Sequence, residues 1–429
     1  MAVFAPHNVE LSGGGAQPPG SRLPRLAQSF IGVVAEGPAD RRLHRQHGDV
    51  FQIDAFPFKR LVAVCDPGEV KRLWSLPPEQ VDAGRGNAIL GPLVGRSSVL
   101  LLDGDEHLST RRALLPAFHG DRMQALTAVM REEAQAEVAS WPTDRPFAVL
   151  PYMQRLTLTI ILRTVFGVSG QRLPALRSAL SAMVSRGAGI MFAPRPVRRF
   201  GEPAFERARR NVDRLIADEM TTGGTPGSVL AELIALGQRP EWVRDQLLTL
   251  LVAGHETTAT ALAWAFERLA RTPHALNKAV VAARTDGARR YLDLVIQETL
   301  RSRPPLNWVM RHVKSPITVG GYSVPAGWTV GAALEVIHQR PDLFPEPDTF
   351  RPERFADGPG VALPWLPFGG GRRRCLGAAF AQTEMREVLG TVLSQLDLTA
   401  AESTPERRRR RAITFVPHRG ARLIARRAA

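Results

Sequence analysis

The sequence predicts a single, mainly α-helical domain that carries small β-sheets. Helical periodicity dominates the chain beyond about residue 100, whereas segments with strand character are short and widely spaced. Neither an internal repeat nor a linker divides the 429 residues into independent halves, although the length alone would suit roughly three domains. The hydrophobic share of 44% suits a large core and excludes a disordered or collagen-like chain.

The first elements are irregular or extended. Residues 1–24 are rich in glycine, proline and serine, so we expect an irregular lead-in before a domain that spans residues 25–429. The segments VFQIDAF and RLVAVCDP predict two strands joined by a turn, and a helix is predicted from Pro67. Eight further segments are predicted to be helices: 105–118, 121–140, 151–167, 203–220, 228–236, 241–271, 288–303 and 376–394.

Proline and glycine mark the ends of the later elements. The helix at 288–303 is predicted to stop at Pro304 and Pro305, because proline cannot continue a helix. The stretch ITVGGYSVPAGWTVGAAL predicts short strands and turns, and a long proline-rich loop follows from Arg340 to Phe368. A last pair of strands is expected after the helix at 376–394.

The chain is basic, with 56 Lys and Arg against 41 Asp and Glu and a net charge of +15. Such an excess attracts acidic partners, including nucleic acids. However, the sequence has no helix-turn-helix, zinc-finger or aromatic RNA-binding pattern, so we do not expect a nucleic-acid partner. The densest run of charge, Arg407 to Arg411, is predicted to be a solvated face.

Cysteine usage and hydropathy indicate the compartment. Cys65 and Cys375 are too few for a disulfide framework, and the N-terminal residues lack the basic and apolar regions of a signal peptide. No stretch approaches the roughly 18 apolar residues of a membrane span, so no transmembrane anchor is expected. These features predict a cytoplasmic protein.

The segment Phe368 to Gly377, which reads FGGGRRRCLG, is the strongest functional signal. Three glycines allow the backbone to approach a flat ligand closely. Cys375 follows just before a helix, whose N-terminus and neighbouring arginines are predicted to lower the thiol pKa. A lone cysteine in this setting suits axial ligation of haem iron better than a four-ligand zinc site.

The spacing of Phe368, Gly371, Cys375 and Gly377 resembles the haem-binding signature of the cytochrome P450 family. The resemblance covers nearly the whole chain and favours the soluble, bacterial type of this family. It implies the cytochrome P450 fold, haem b as cofactor and Cys375 as the axial thiolate ligand of the iron. It further implies that Arg373 binds a haem propionate, with Phe368 beside the sulfur and Gly369 against the cofactor.

Two separated motifs resemble a structural element of the same family. Glu298 and Arg301 lie three residues apart on a predicted helix, so their side chains share one face and can pair. The segment Pro352-Glu353-Arg354-Phe355 follows at the family's distance. The resemblance implies that Arg354 joins Glu298 and Arg301 in a buried triad with a structural role.

The long helix at 241–271 carries the segment AGHETT from Ala253 to Thr258. Small residues leave room beside a helix, and a threonine hydroxyl can bond a carbonyl one turn back. This segment resembles the family's oxygen-activation motif, which implies proton delivery by Thr257, an acid role for Glu256 and cofactor contact at Gly254. His255 is not predicted to bind a metal, because no second ligand is spaced with it.

His107 and Arg111 lie one turn apart on a predicted helix, so both can donate to one anion. By resemblance they bind a haem propionate, and Arg311 is a further candidate. The pocket segments implied by the resemblance are apolar and bulky, which favours a lipophilic small molecule as substrate. They supply Ile89, Leu90, Leu93, Met191, Phe192, Leu250, Leu306, Trp308, Ile413 and Phe415.

The resemblance implies a monooxygenase, an oxidoreductase that inserts one oxygen atom of O2 into its substrate. The sequence has no Gly-x-Gly-x-x-Gly after a strand and too few cysteines for an iron–sulfur cluster, so electrons must come from a separate ferredoxin or flavodoxin with its reductase. A peroxide-driven or isomerase-type haem-thiolate enzyme is the nearest alternative. A haem-binding sensor without turnover is the alternative from another class.

Overall fold

The computed structural model describes residues 15–34, 36–55, 60–118, 122–167, 172–191, 195–285, 289–356 and 364–428. Within these ranges the chain is mainly helical, as predicted. The helices are α1 Arg25–Val34, α2 Glu36–His47, α3 Pro67–Ser75, α4 Gly91–Val94, α5 Gly104–Leu114, α6 Arg122–Ala139, α7 Leu150–Phe166, α8 Arg172–Met191, α9 Arg195–Thr221, α10 Val229–Ala235, α11 Pro240–Ala270, α12 Pro273–Arg284, α13 Arg290–Ser302, α14 Leu334–His338 and α15 Ala378–Gln395.

The strands form four small sheets. They are β1 Val50–Ile53, β2 Leu61–Val64, β3 Val81–Asp82, β4 Pro146–Ala148, β5 Trp308–Val313, β6 Ile317–Val319, β7 Tyr322–Val324, β8 Thr329–Ala333, β9 Leu396–Ala400, β10 Arg408–Arg411, β11 Thr414–Pro417 and β12 Arg422–Arg427. Strands β1, β2, β8, β5 and β3 make the largest sheet, in that order, and only its β2–β8 pairing is parallel. Strands β4, β12 and β9 make a second sheet, while β6–β7 and β10–β11 are hairpins.

Helix α11 lies at the centre of the fold. It packs against α7, α4, α13, α15 and strand β11, and most of its 31 residues are buried. Pro240 occupies the first turn, where its missing N–H costs nothing. A second apolar core lies between the five-stranded sheet and α3. The fold therefore has two apolar cores, one formed mainly by helices and one beside the five-stranded sheet.

Several local predictions differ from the structure. Helices α1, α2 and α8 occupy segments for which no helix was predicted, and α9 begins eight residues before the predicted 203. The predicted final strand pair is instead four strands, β9 to β12. Residues 1–14 of the predicted lead-in lie outside the described ranges. Among the helices that the structure describes, none is long and apolar enough to cross a bilayer.

The prediction of a solvated face for Arg407 to Arg411 was wrong for three of the five residues. Arg407 and Arg409 are exposed, whereas the other three arginines, which belong to strand β10, pair with carboxylates from distant segments. Arg408 pairs with Glu335 and Arg410 with Glu36, both of which are buried glutamates. Charge neutralisation by these acids allows arginines of this strand to be partly buried.

Candidate active site

The cysteine loop is held closed by its own backbone. The N–H of Cys375 donates to the carbonyl of Phe368 at 2.9 Å, and Gly369 and Gly371 adopt φ of 65° and 61°. Residues with a side chain rarely adopt such angles, so glycine is required at both positions. The Cys375 side chain is exposed, and α15 begins three residues later. The loop thus presents an accessible thiol at the N-terminal end of a long helix.

Trp74 of α3 supports this loop from behind. A Cβ at Gly370 would lie 2.3 Å from the indole ring, and a Cβ at Gly371 would lie 2.5 Å from the Trp74 carbonyl oxygen. Trp74 is 6% exposed. The sequence analysis missed this residue, because nothing in its local pattern relates it to a loop almost 300 residues away.

The pKa of the Cys375 thiol differs from the prediction. Burial by the surrounding protein raises this pKa above its ordinary value, although the N–H of Gly377 and the charges of Arg111 and Arg374 act to lower it. The predicted net lowering was therefore wrong. The thiol is thus desolvated by the protein around it although the residue is exposed, and binding to a cation would favour its ionised form.

Helix α11 has a group of small residues at its middle that other elements leave uncovered. Ala253 is exposed although it lies in the middle of an otherwise buried helix, and Gly254 and Thr257 are half-exposed. A Cβ at Gly254 would contact only Ile161, at 3.4 Å. The Thr257 hydroxyl donates to the Ala253 carbonyl at 2.8 Å, as the sequence predicted for a threonine that bonds one turn back.

Glu256 is surrounded by polar groups from three elements. Gln154 Nε2 of α7 donates to both carboxylate oxygens at 3.0 Å. Arg411 Nε of β10 lies 3.5 Å from Oε1, and His255 Nε2 lies 3.7 Å from Oε2. The His255 Nδ1 atom lies 2.8 Å from the Leu251 carbonyl oxygen. Sequence reasoning found Glu256 but missed its partners Gln154 and Arg411, which come from distant segments.

The predicted propionate-binding residues form one cationic cluster. His107 is buried on α5, Arg311 is buried on β5, and Arg111 and Arg373 are half-buried. Arg373 donates to the carbonyls of residues 99 and 102 and pairs with Asp103. Burial first, then Arg373, Arg111 and Arg311, lower the pKa of His107 to about 4.

The charge of this cluster fits a dianionic ligand. Burial and the neighbouring Arg373 lower the pKa of Arg311 to about 10, against which Asp103 acts only in part. Asp103 itself also accepts hydrogen bonds from the N–H groups of Ala83 and Gly84 at 2.9 Å. Three arginines and one imidazole thus lie near two carboxylates, Asp103 and Asp82, which also pair with backbone N–H groups and with Lys314. The two propionates of a haem would offset this excess of positive charge.

Glu298, Arg301 and Arg354 lie together in the interior. Arg301 donates to the Glu298 carboxylate at 2.7 and 2.8 Å, and both side chains are fully buried. Arg354 Nε lies 3.0 Å from the same carboxylate. The two guanidinium groups also donate to carbonyls of the proline-rich loop, at Pro347 and Pro345. The carboxylate and the carbonyls together tie α13 to the segment that leads to the cysteine loop.

A cavity of about 460 Å³ opens between α4, α8 and α9. Its lining includes Ile89, Leu93 and Met191 from the predicted pocket, together with Phe205. Leu90 packs at the edge of the helical core, and Leu250 and Phe415 are buried. Phe192 lies outside the described residues.

Trp308 of the predicted pocket and its neighbour Val309 are both partly buried beside the sheet core. The Trp308 indole donates to Glu36 at 2.9 Å. Successive residues of a strand point to opposite faces, so Val309 points the other way. Val309 is the nearest side chain to a Cβ built at Gly369, at 3.9 Å. Val309, rather than Trp308, therefore faces the cysteine loop.

Comparison with known proteins agrees with this geometry. The family model described as cytochrome P450 matches residues 18–217 and 239–423. A putative cytochrome P450 135B1 of Mycobacterium tuberculosis is 38% identical over 430 residues, covering 95% of this chain and 91% of the relative. A putative cytochrome P450 138 of the same species is 36% identical over 428 residues, covering 96% of each.

Two solved structures share the fold. The haem domain of cytochrome P450DA superposes with a TM-score of 0.86 at 22% identity, covering 97% of this chain and 98% of that one. The cyanobacterial CYP120A1 with bound retinoic acid gives a TM-score of 0.85 at 23% identity, covering 97% of this chain and 100% of the other. At this level of identity the likeness concerns the fold alone.

Proposed function

This chain belongs to the cytochrome P450 family of haem b monooxygenases, and from that premise we propose which residues hold the haem and what the enzyme acts on. Cys375 ligates the iron through its thiolate. Gly254 of α11 and Gly369 of the loop would contact the macrocycle. The single observation that carries this assignment is the accessible thiol of Cys375 in its closed glycine loop, where the Cys375 N–H donates to the Phe368 carbonyl.

The cationic cluster holds the propionates. His107, Arg111, Arg311 and Arg373 supply more donors than Asp103 can accept, and ionic hydrogen bonds are the strong ones. Asp103 keeps Arg373 oriented through their ion pair. The triad has a structural role. The side chains of Glu298, Arg301 and Arg354 are buried, and the two arginines bond the proline-rich loop.

When bound, the haem supplies the reductive activation of O2 and its insertion into the substrate. The protein's part is to bind, orient and control protons. Thr257 holds a hydroxyl at the open face of α11, and Glu256 one residue before it provides a carboxylate with a short path to solvent, since its side chain is 12% exposed. We propose that these two residues deliver protons at this face, a role that general acids and bases fill in many enzymes.

The substrate is proposed to be a lipophilic small molecule. The cavity beside α8 and α9 is lined mainly by aliphatic and aromatic side chains, which suit an apolar ligand. Electrons come from a separate protein, a ferredoxin or flavodoxin with its reductase. An acidic partner suits the exposed Arg372 and Arg374 beside the cysteine loop. We place the enzyme in the cytoplasm and its catalytic domain at residues 25–429.

The Glu256–Thr257 pair favours O2-dependent turnover over the peroxide-driven and isomerase-type alternatives. NAD(P)H consumption can be measured with surrogate redox partners in the presence and absence of a lipophilic substrate. Consumption that depends on the substrate distinguishes an enzyme from a haem sensor. A sensor would bind haem and ligand without that consumption.

The haem ligand is tested by Cys375→Ala with Cys65→Ala as its control. Cys65 is fully buried in the sheet core and serves as the matched thiol. We expect the ferrous carbonyl spectrum of the wild type and of Cys65→Ala to show the red-shifted band of thiolate ligation. Cys375→Ala should lose this band. Its survival in Cys375→Ala would overturn the assignment.

A further inference from the structure

The β10–β11 hairpin reaches the acid of the active-site helix. Arg411, the last residue of β10, lies with Nε 3.5 Å from Oε1 of Glu256. The two positions are 155 residues apart in sequence, and their side chains are 32% and 12% exposed. A partly buried pair of this kind is screened less by salt than a surface pair. The contact therefore links two functional elements of the site.

Among the described neighbours of Glu256, Arg411 is the one that brings a permanent positive charge. Gln154 is neutral, and burial lowers the pKa of His255. The His255 ring also uses Nδ1 toward the Leu251 carbonyl oxygen. Arginine is protonated at any pH at which the enzyme works. The position of the Glu256 carboxylate is thus set by an amide on one side and a guanidinium on the other.

The hairpin gives Arg411 a fixed base. Arg411 pairs with Thr414 across a tight turn in which Ala412 has a φ of 53°. The N–H of Phe415 donates to the Pro305 carbonyl at 3.0 Å, and the Trp264 indole donates to the Phe415 carbonyl at 2.8 Å. Rigid support of this kind is what holds a functional side chain in one geometry.

The carboxylate is held away from the hydroxyl that follows it in the sequence. Gln154 bonds both oxygens of Glu256, and the Thr257 hydroxyl donates instead to the Ala253 carbonyl. Each group is therefore occupied by a different partner. The ion pair with Arg411 adds a further restraint, so the carboxylate is held in one orientation.

We propose that Arg411 is a positioning residue for proton delivery, which holds the Glu256 carboxylate in one orientation. This inference rests on the proposed function of Glu256 and Thr257. It adds that a residue of the β10–β11 hairpin, at the start of a predicted pocket segment, orients the acid of α11. Loss of the ion pair would leave the carboxylate free to turn and would lower the product formed per NAD(P)H.

The test compares Arg411→Gln with Arg411→Lys and with Arg409→Gln. Arg409 is exposed on the same strand, two residues earlier and on the same face, so its replacement removes an equal charge. The first readout is the infrared carboxylate stretch of Glu256, isolated by subtracting the spectrum of Glu256→Gln. This band should shift in Arg411→Gln, stay close to the wild type in Arg411→Lys and not move in Arg409→Gln.

The second readout is product and peroxide formed per NAD(P)H. We expect product per NAD(P)H to fall roughly tenfold in Arg411→Gln, less than removal of a general acid costs. Arg411→Lys should recover most of it, with an unchanged ferrous carbonyl spectrum in every variant. A carboxylate band or a coupling ratio in Arg411→Gln that matches Arg409→Gln would overturn the positioning role. Unchanged coupling in Glu256→Gln would instead overturn the proton-delivery role of Glu256 itself.

Discussion

The indole of Trp74 occupies the space that a side chain at position 370 would need. A Cβ built on Gly370 lies 2.3 Å from the ring, so α3 and the cysteine loop fit together only because this residue is glycine. The neighbouring Gly371 meets the Trp74 backbone in the same way. The glycines of the loop thus serve two purposes, since one side must accommodate a flat cofactor and the other a buried tryptophan.

Replacement of Thr257 by alanine tests the proton-delivery role. Thr257→Ala should keep haem and substrate binding but divert reducing equivalents to peroxide, with product per NAD(P)H lower by roughly tenfold to a hundredfold. Thr258→Ala is the matched control, because Thr258 makes the same backbone bond one residue later, to Gly254 at 3.0 Å, but is buried. If the two variants formed the same amount of product per NAD(P)H, the proton-delivery role of Thr257 would be contradicted.

The buried triad of Glu298, Arg301 and Arg354 should contribute strongly to the free energy of unfolding. Glu298→Ala leaves two guanidinium groups without their carboxylate, which costs about 3–5 kcal/mol when an ion pair is fully buried. Glu353→Ala is the control, because Glu353 is partly exposed and pairs with Lys278 at 2.9 Å. In Glu353→Ala the free energy of unfolding is expected to fall by about 1 kcal/mol or less. Urea unfolding of both variants measures the difference, and similar midpoints would argue against a triad.

Acid should destabilise the fold through His338. Burial and then the charge of Arg301 lower the pKa of this fully buried imidazole to about 3, and its Nε2 accepts from the Leu366 N–H at 3.1 Å. The unfolded chain binds the proton near pH 6.5, so the stability that the neutral ring contributes is present above this pH and falls as the pH drops from 6.5 toward 3.

Between pH 6.5 and 4.5 the expected loss of unfolding free energy from His338 is about 2 kcal/mol. The measurement is the urea midpoint at both pH values for the wild type and for His338→Gln, which cannot take up the proton. His274→Gln serves as control, since its side chain is 74% exposed. An equal acid response in all three proteins would contradict the prediction.

Electron transfer should depend on the basic face around the cysteine loop. Arg372→Glu is expected to slow reduction by an acidic ferredoxin or flavodoxin without altering the haem spectrum, and reduction of the wild type should slow as salt rises. Arg45→Glu, an exposed position on α2, carries the same charge reversal on a different element and should behave as wild type. If the rate of reduction changed neither with salt nor in Arg372→Glu, the basic face around the cysteine loop would have no role in electron transfer.

The sequence predicted what depends on local pattern. The long central helix was expected at 241–271 and spans Pro240–Ala270, because its apolar periodicity and its terminal residues are local properties. The cysteine loop and the Glu298–Arg301 pair were also found from short spacings. The hydrogen bond from the Thr257 hydroxyl to the Ala253 carbonyl was also predictable, because it joins residues one helical turn apart.

Features that depend on distant partners could not be predicted. The arginines of β10 looked solvated because Glu36, Glu335 and Glu256, which neutralise them, come from three other segments. The pKa of Cys375 was misjudged because the spacing of charges is visible in the sequence while the depth of burial is not. The bond from the Trp308 indole to Glu36 could not be predicted either, because the two residues lie 272 positions apart in the sequence.

The cationic cluster also has a consequence for biosynthesis. His107 and Arg111 leave the ribosome well before Cys375, by roughly 13–54 s at the usual speed of translation. During that interval the nascent chain carries half of a cofactor cradle with no ligand to fill it. If Cys375 ligates the haem iron, stable capture of haem would follow the synthesis of residue 375, and a chain that stops before this residue would lack the thiolate ligand.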